Sequence, residues 1–207
     1  MKLAVVDYGI GNLRSAEKAF EAVGVDALLT GDHATLAAAD AVVLPGVGAF
    51  GRCVEELDAR GLRSVLGAII DAGVPFLGIC VGFQLLYEGS AESPGARGLG
   101  VFSGQVGELS SSVKVPQMQW NELAPTVAKT SLLELSGRAP WVYFVHSFAP
   151  PVGIETVATC SYGGTVAAMA QRDRVVGMQF HPEKSGPIGL ALLKNFVDAA
   201  QGALSWS

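Results

Sequence analysis

Four short, mostly apolar runs, at residues 3–6, 25–29, 41–44 and 74–79, are separated by stretches whose apolar residues recur at helical spacing. A run with no polar alternation is a strand covered on both faces, and parallel neighbours need a crossover between them. Leu13, Ala16, Phe20 and Val23 mark one crossover helix, with Gly24 as its stop. A second helix is expected over about 53–72, with Gly61 and Gly67 as weak points and Gly73 as its end. The first 90 residues therefore predict the α/β class: a central, mainly parallel sheet flanked by helices.

The pattern changes after Glu88. A Gly/Ser/Pro-rich loop is expected over 89–100, then short strands at 101–108, 114–115 and 122–123 and a helical turn at 131–135. Residues 141–145 read as a strong strand. Residues 156–162, 165–171 and 175–180 read as successive antiparallel strands, the last two joined through Arg172 and Asp173. Leu190, Leu193, Phe196 and Val197 give a closing helix over 186–201 one apolar face. No repeat or low-complexity linker divides the chain, so residues 1–207 are expected to form one domain, with an antiparallel portion in the C-terminal half.

Composition narrows the class of function. Half the residues are hydrophobic and 16% are charged, enough apolar material for one sizeable core. The net charge of −5 and the absence of a Lys/Arg run argue against a nucleic-acid partner. No run of 18 apolar residues suggests a membrane span, and Asp7 comes too early for a signal peptide. Cys53, Cys80 and Cys160 are an odd number with no close pair, which fits neither a disulfide framework nor a zinc site. A reducing cytoplasm, with no metal and no cofactor, is expected. Gly9-Ile10-Gly11 lacks the third glycine of a dinucleotide fingerprint and the lysine of a P-loop.

Candidate chemistry centres on Gly78-Ile79-Cys80-Val81-Gly82, which follows an apolar run and precedes the helix start Phe83-Gln84-Leu85-Leu86-Tyr87. This reads as a strand–turn–helix nucleophile elbow with sulfur in place of oxygen. Side chains at 78 and 82 would crowd the strand and helix that meet there. A thiol at a helix N-terminus also feels the positive end of the macrodipole. A small buried core cysteine fits the same residues. Phe180-His181-Pro182-Glu183 ends an apolar strand, and in extended chain His181 and Glu183 point to one side. Cys80, His181 and Glu183 then supply nucleophile, base and orienting acceptor. A satisfied surface histidine beside an exposed glutamate is the plainer alternative. Pro45-Gly46-Val47-Gly48 follows the third strand, where the Val47 N–H, with that of Val81, can face a developing oxyanion. An ordinary strand-to-helix turn would look the same.

Together these stretches resemble the class I (triad) glutamine amidotransferases. Further stretches narrow the resemblance: Asp7-Tyr8-Gly9-Ile10-Gly11-Asn12-Leu13, Pro45-Gly46-Val47-Gly48-Ala49-Phe50, Val115-Pro116-Gln117-Met118-Gln119-Trp120-Asn121 and Tyr143-Phe144-Val145-His146-Ser147-Phe148. As a set they are similar to the glutaminase subunits of imidazole glycerol phosphate synthases, from histidine biosynthesis. The resemblance implies a flavodoxin-like fold and a catalytic triad of Cys80, His181 and Glu183. It implies hydrolysis of glutamine to glutamate and ammonia through a cysteinyl thioester, with Gly46, Gly48, Gln84, His146, Ser147 and Phe148 at the substrate. It also implies a heterodimer with a (β/α)8 synthase subunit. That subunit uses the ammonia to make imidazole glycerol phosphate and an aminoimidazole carboxamide ribonucleotide. Asn12, Trp120, Asn121, Tyr143 and Lys184 match positions at or near that interface.

The chain departs from the family at two places. Gln117 and Gln119 stand where histidine and glycine are usual, toward the partner side, and Val81 and Phe83 replace leucine and methionine with little expected change. A stand-alone cysteine hydrolase or γ-glutamyl hydrolase of the same fold is the alternative enzyme. The intact Cys80, His181 and Glu183 argue against a non-catalytic scaffold.

Overall fold

The computed structural model describes residues 1–206 other than 129, 136 and 138. In its first half β1 (Leu3–Val6), α1 (Leu13–Ala22), β2 (Ala27–Thr30), α2 (His33–Ala37), β3 (Ala41–Gly46), α3 (Phe50–Ala59), α4 (Leu62–Asp71), β4 (Phe76–Cys80) and α5 (Val81–Gln84) alternate as the apolar runs require. Every residue of β1, β3 and β4 is buried, so the unbroken apolar runs are the strands covered on both faces. The single helix expected over 53–72 is two helices, because Gly61 adopts φ 65° and turns the chain between α3 and α4. Strand β2 starts two residues later than expected, since the Val25 N–H bonds back to the Phe20 carbonyl and closes α1. Helix α2 is too short for periodicity to reveal. It is capped by Asp32, whose carboxylate accepts from the Thr35 N–H at 2.8 Å.

The second half holds β5 (Gly89–Ser90), β6 (Gln105–Glu108), β7 (Gln117–Glu122), β8 (Ala124–Pro125), β9 (Trp141–His146), β10 (Phe148–Ala149), β11 (Thr156–Ser161), β12 (Thr165–Arg172), β13 (Val175–Met178) and α6 (Gly186–Ala200). Of the strand expected over 101–108, only Gln105–Glu108 forms, and 114–115 forms none. The strand expected at 122–123 is the tail of β7. Its six residues are mostly exposed and polar, and full-length pairing with β9 makes them a strand. Residues 131–135 hold one 3-10 turn, Ser131–Leu133.

The main sheet has eight strands in the order β2-β1-β3-β4-β13-β12-β11-β8. The pairs from β2 through to β13 are parallel, and those of β12, β11 and β8 are antiparallel. Strand β13 thus belongs to both regimes: it closes a hairpin with β12 and lies parallel to β4. Small sheets β10-β6-β5 and β7-β9 lie beside the main one. Helix α6 buries Ile188, Leu192, Leu193, Phe196 and Val197. No helix among the described residues is long and apolar enough to cross a membrane.

Candidate active site

Cys80 ends β4 at φ 55° and ψ −111°, a conformation that costs a residue with a side chain of order 1–3 kcal/mol. Close backbone approach holds it there. A Cβ on Gly78 would lie 2.6 Å from the Gly82 carbonyl oxygen, and one on Gly82 would lie 1.8 Å from the Leu44 carbonyl oxygen. Gly46 is the register partner of Cys80, and a Cβ there would meet the Gly82 nitrogen at 2.6 Å. The glycines therefore let strand, neighbouring strand and helix meet at the sulfur. The helix after Cys80 is one turn, not the longer segment expected over 83–87. A helix of one turn has little macrodipole, and its first N–H groups have no partner within the helix.

His181 reaches the elbow through β13. Gly177 pairs with Gly78 and Met178 with Ile79 in the parallel β13–β4 ladder, so the chain beyond β13 emerges beside Cys80. The Phe83 ring occupies the space beside Gly177, where a Cβ would lie 1.7 Å from the ring. The His181 N–H donates to the Tyr143 carbonyl at 2.9 Å, tying the segment to β9.

His181 Nδ1 lies 2.8 Å from Glu183 Oε1, and both side chains are 3% exposed. Residues Pro182–Lys184 form a 3-10 turn, so the pair is made by a turn and not by the extended chain expected from the sequence. Engagement of Nδ1 leaves Nε2 for the sulfur side. Burial works against an imidazolium here. The Cys80 sulfur and the Glu183 carboxylate favour it more strongly and raise the His181 pKa to about 10.

A cavity of about 320 Å³ opens above the sulfur. Of the predicted residues, Val47, Gly48, Cys80, Val81, Gln84, His146, Ser147, Phe148, His181 and Lys184 line it. Gly46 does not. It borders a space of about 10 Å³ behind the site, with Asn12, His181 and Glu183, and its part is close packing against the elbow. The Phe148 carbonyl accepts from Gln84 Nε2 at 2.9 Å and from His146 Nδ1 at 2.8 Å. Burial, helped by the charge of His181 and opposed by the Phe148 bond, lowers the His146 pKa to about 4, so its ring is neutral.

Of the residues expected at an interface, Lys184 alone lines the cavity. Lys184 is exposed at the cavity rim. Trp120 and Tyr143 are cross-strand partners with ring centroids 6.0 Å apart, and Trp120 is 48% exposed. Asn12 accepts from the Ser15 hydroxyl, and Asn121 donates to the Ser161 carbonyl. The two glutamine departures separate: Gln119 is exposed, whereas Gln117 is wholly buried with its Nε2 3.9 Å from Cys160 Sγ.

Several neighbours of the site were not anticipated, Glu92, Gln179, Tyr8 and Cys53 among them. Glu92 lines the cavity and accepts from the Phe50 N–H at 2.7 Å. It lies in the loop after Glu88, whose composition carries no site signal. Gln179 lies between Gln84 and Cys80, two residues before His181 in the same strand extension, which is the one signal that could have found it. Tyr8 and Cys53 stand behind residues 45–48. The Tyr8 hydroxyl donates to the Pro45 carbonyl at 2.8 Å, and Cys53 Sγ donates to the Val47 carbonyl at 3.5 Å. Burial, with Cys53 nearby, pushes the Tyr8 phenol far above its usual range, and burial raises Cys53 to about 11, so both remain donors.

Residues 4–200 match the family model described as glutamine amidotransferase class-I. The imidazole glycerol phosphate synthase subunit HisH of Salinibacter ruber is 48% identical over 202 residues, covering 93% of this chain and 92% of the relative. The protein of the same name from Methanothermobacter thermautotrophicus is 48% identical over 198 residues, covering 95% and 98%. Among solved structures, a glutamine amidotransferase superposes with TM-score 0.75 at 18% identity, covering 96% of this chain and 98% of that one. PurLQS from Thermotoga maritima gives 0.73 at 20% identity, covering 95% and 97%. At those identities the structures speak for the fold.

Proposed function

The chain belongs to the class-I glutamine amidotransferase family, and from that premise we propose that it is the glutaminase subunit of an imidazole glycerol phosphate synthase. The observation that carries the reading is His181, bonded through Nδ1 to Glu183, lining the same cavity as Cys80.

Glutamine enters with its side-chain amide toward Cys80. Glu92 is the carboxylate among the lining residues free to face its α-ammonium, while Gln84 and the segment 146–148 hold the rest of the amino-acid head. Cys80 Sγ attacks the amide carbon as the thiolate, its proton held on His181 Nε2. The Val47 and Val81 N–H groups face the oxyanion. The C–N bond then breaks, His181 returns the proton to the leaving nitrogen, and ammonia departs from a glutamyl thioester. Water, losing a proton to His181, hydrolyses the thioester to glutamate and the thiol is restored. Glu183 keeps the imidazole in one tautomer and offsets its positive charge throughout.

The ammonia passes to a (β/α)8 synthase subunit docked on the residues Asn12, Trp120, Asn121, Tyr143 and Lys184. The whole chain serves as one glutaminase domain, in a cytoplasm that keeps its three buried thiols free. Co-purification with the cognate synthase, followed by glutaminase assays with and without the synthase substrate, tests this reading. Hydrolysis is slow in the isolated chain and fast in the liganded complex. Cys80→Ala removes glutamine-dependent synthesis and leaves synthesis from added ammonia. Full turnover by the isolated chain, with no synthase bound, would instead identify a stand-alone hydrolase.

A further inference from the structure

Gln179 is wholly buried and lies outside the cavity lining, yet both ends of its amide are engaged. Its Oε1 lies 3.2 Å from Gln84 Nε2, and its Nε2 lies 3.9 Å from Cys80 Sγ, across 99 positions of sequence. The orientation of this amide follows from its neighbours. The Phe148 carbonyl can only accept, so the Gln84 atom facing it is the donor nitrogen. That same nitrogen faces Gln179, which must therefore present its oxygen. The Gln179 NH₂ is left toward the sulfur. The sulfur also lies 4.0 Å from the Val145 carbonyl oxygen. A backbone carbonyl thus sets a side-chain amide, which sets a second amide, which aims a donor at the nucleophile.

We infer that Gln179 is a positioning residue of the glutaminase reaction: its amide holds the Cys80 sulfur in place and supplies an N–H to it as negative charge gathers there, and Gln84 keeps that amide turned the right way. A neutral thiol gains little from such a donor. A sulfur carrying charge gains more, because hydrogen bonds to charged acceptors are the stronger ones. Gln84 then has two parts, one at the substrate head and one in orienting Gln179. The inference rests on the proposed glutaminase reading for its kinetic consequences, but the state of the sulfur can be read without glutamine.

The test uses the full chain in complex with its synthase. Gln179→Met keeps the side-chain length and removes both amide atoms. It is expected to lower kcat for glutamine about tenfold while KM stays within about threefold, because Gln84 keeps its Phe148 bond. Alkylation of Cys80 by iodoacetamide, followed by mass spectrometry, is expected to slow by a similar factor and its pH profile to move to higher pH. Gln84→Met frees the Gln179 amide to turn and is expected to slow alkylation by a few-fold with Gln179 intact, which keeps the test open if the first variant folds poorly. Wild-type alkylation rates in both variants, or losses that only track the folded fraction measured by thermal melting, would overturn the inference. If wild-type complex hydrolyses no glutamine, the functional reading fails, while the alkylation comparison still decides the role of Gln179.

Discussion

Gly177 lies beside Gly78 in adjacent parallel strands, and this pairing carries the chain after β13 to Cys80 at the end of β4. The Phe83 ring fills the volume that a side chain at 177 would need. Gly177→Val is therefore expected to destabilise the fold by about 3 kcal/mol or more, since core overpacking usually costs about 1–3 kcal/mol and here the contact is with a buried ring. Phe83→Ala in the same chain should recover part of that loss. Urea unfolding of both variants checks this, and additive losses would show that the two positions do not compete for space.

Tyr8 and Cys53 pin the carbonyls of Pro45 and Val47, the two residues that flank Gly46. Tyr8→Phe removes the stronger of these bonds with almost no change in volume. The expected result is a loss of about 1 kcal/mol in stability and about a tenfold fall in kcat, with KM nearly unchanged, because the loop faces the oxyanion more than the bound substrate. Steady-state glutaminase kinetics in the complex measure the split. A rise in KM alone would place the brace on substrate binding.

Glu92 both lines the cavity and accepts from the Phe50 N–H. Glu92→Gln keeps an acceptor for Phe50 and removes only the charge. Its expected effect is a rise of about 10- to 100-fold in KM for glutamine, the range of a lost charge-assisted hydrogen bond, with the melting temperature little changed. An unaltered KM would remove Glu92 from the ammonium site.

The two site histidines give opposite dependences of stability on pH. His181, held up to about 10 against an unfolded value near 6.5, binds its proton more tightly in the folded state. Its contribution is complete below pH ~6.5 and is lost as pH rises through about 10. His146, lowered to about 4 by burial, binds its proton more tightly when unfolded. Its neutral burial costs nothing above pH ~6.5 and destabilises as pH falls toward 4. Urea midpoints across this range should decline toward alkali in the wild type but less in His181→Gln, and decline toward acid less in His146→Gln. Parallel curves in all three proteins would contradict both assignments.

Much of this architecture is legible in the chain. The unbroken apolar runs at β1, β3 and β4 require helices on both faces, and Gly24 and Gly73 mark helix ends because the chain there takes positive φ. The elbow glycines are legible because only their size permits the approach seen at Leu44 and Gly82. Strand β7 is not, since its exposed polar residues become a strand only through pairing with β9. The His181–Glu183 pair is legible as a pair, but its geometry depends on a 3-10 turn that local pattern does not reveal.

The α/β class, the elbow at Cys80 and the residue types of the proposed triad can be read from the chain, because periodicity, glycine size and side-chain chemistry are local properties. That β13 leaves its hairpin to lie parallel to β4, and so brings the His181 segment beside Cys80, follows from the assembly of the sheet. The same holds for Glu92, Gln179, Tyr8 and Cys53, whose places at the site come from contacts across the fold. Those contacts depend on which strand edges and helix faces meet in space, and a local pattern of residues carries no record of that choice.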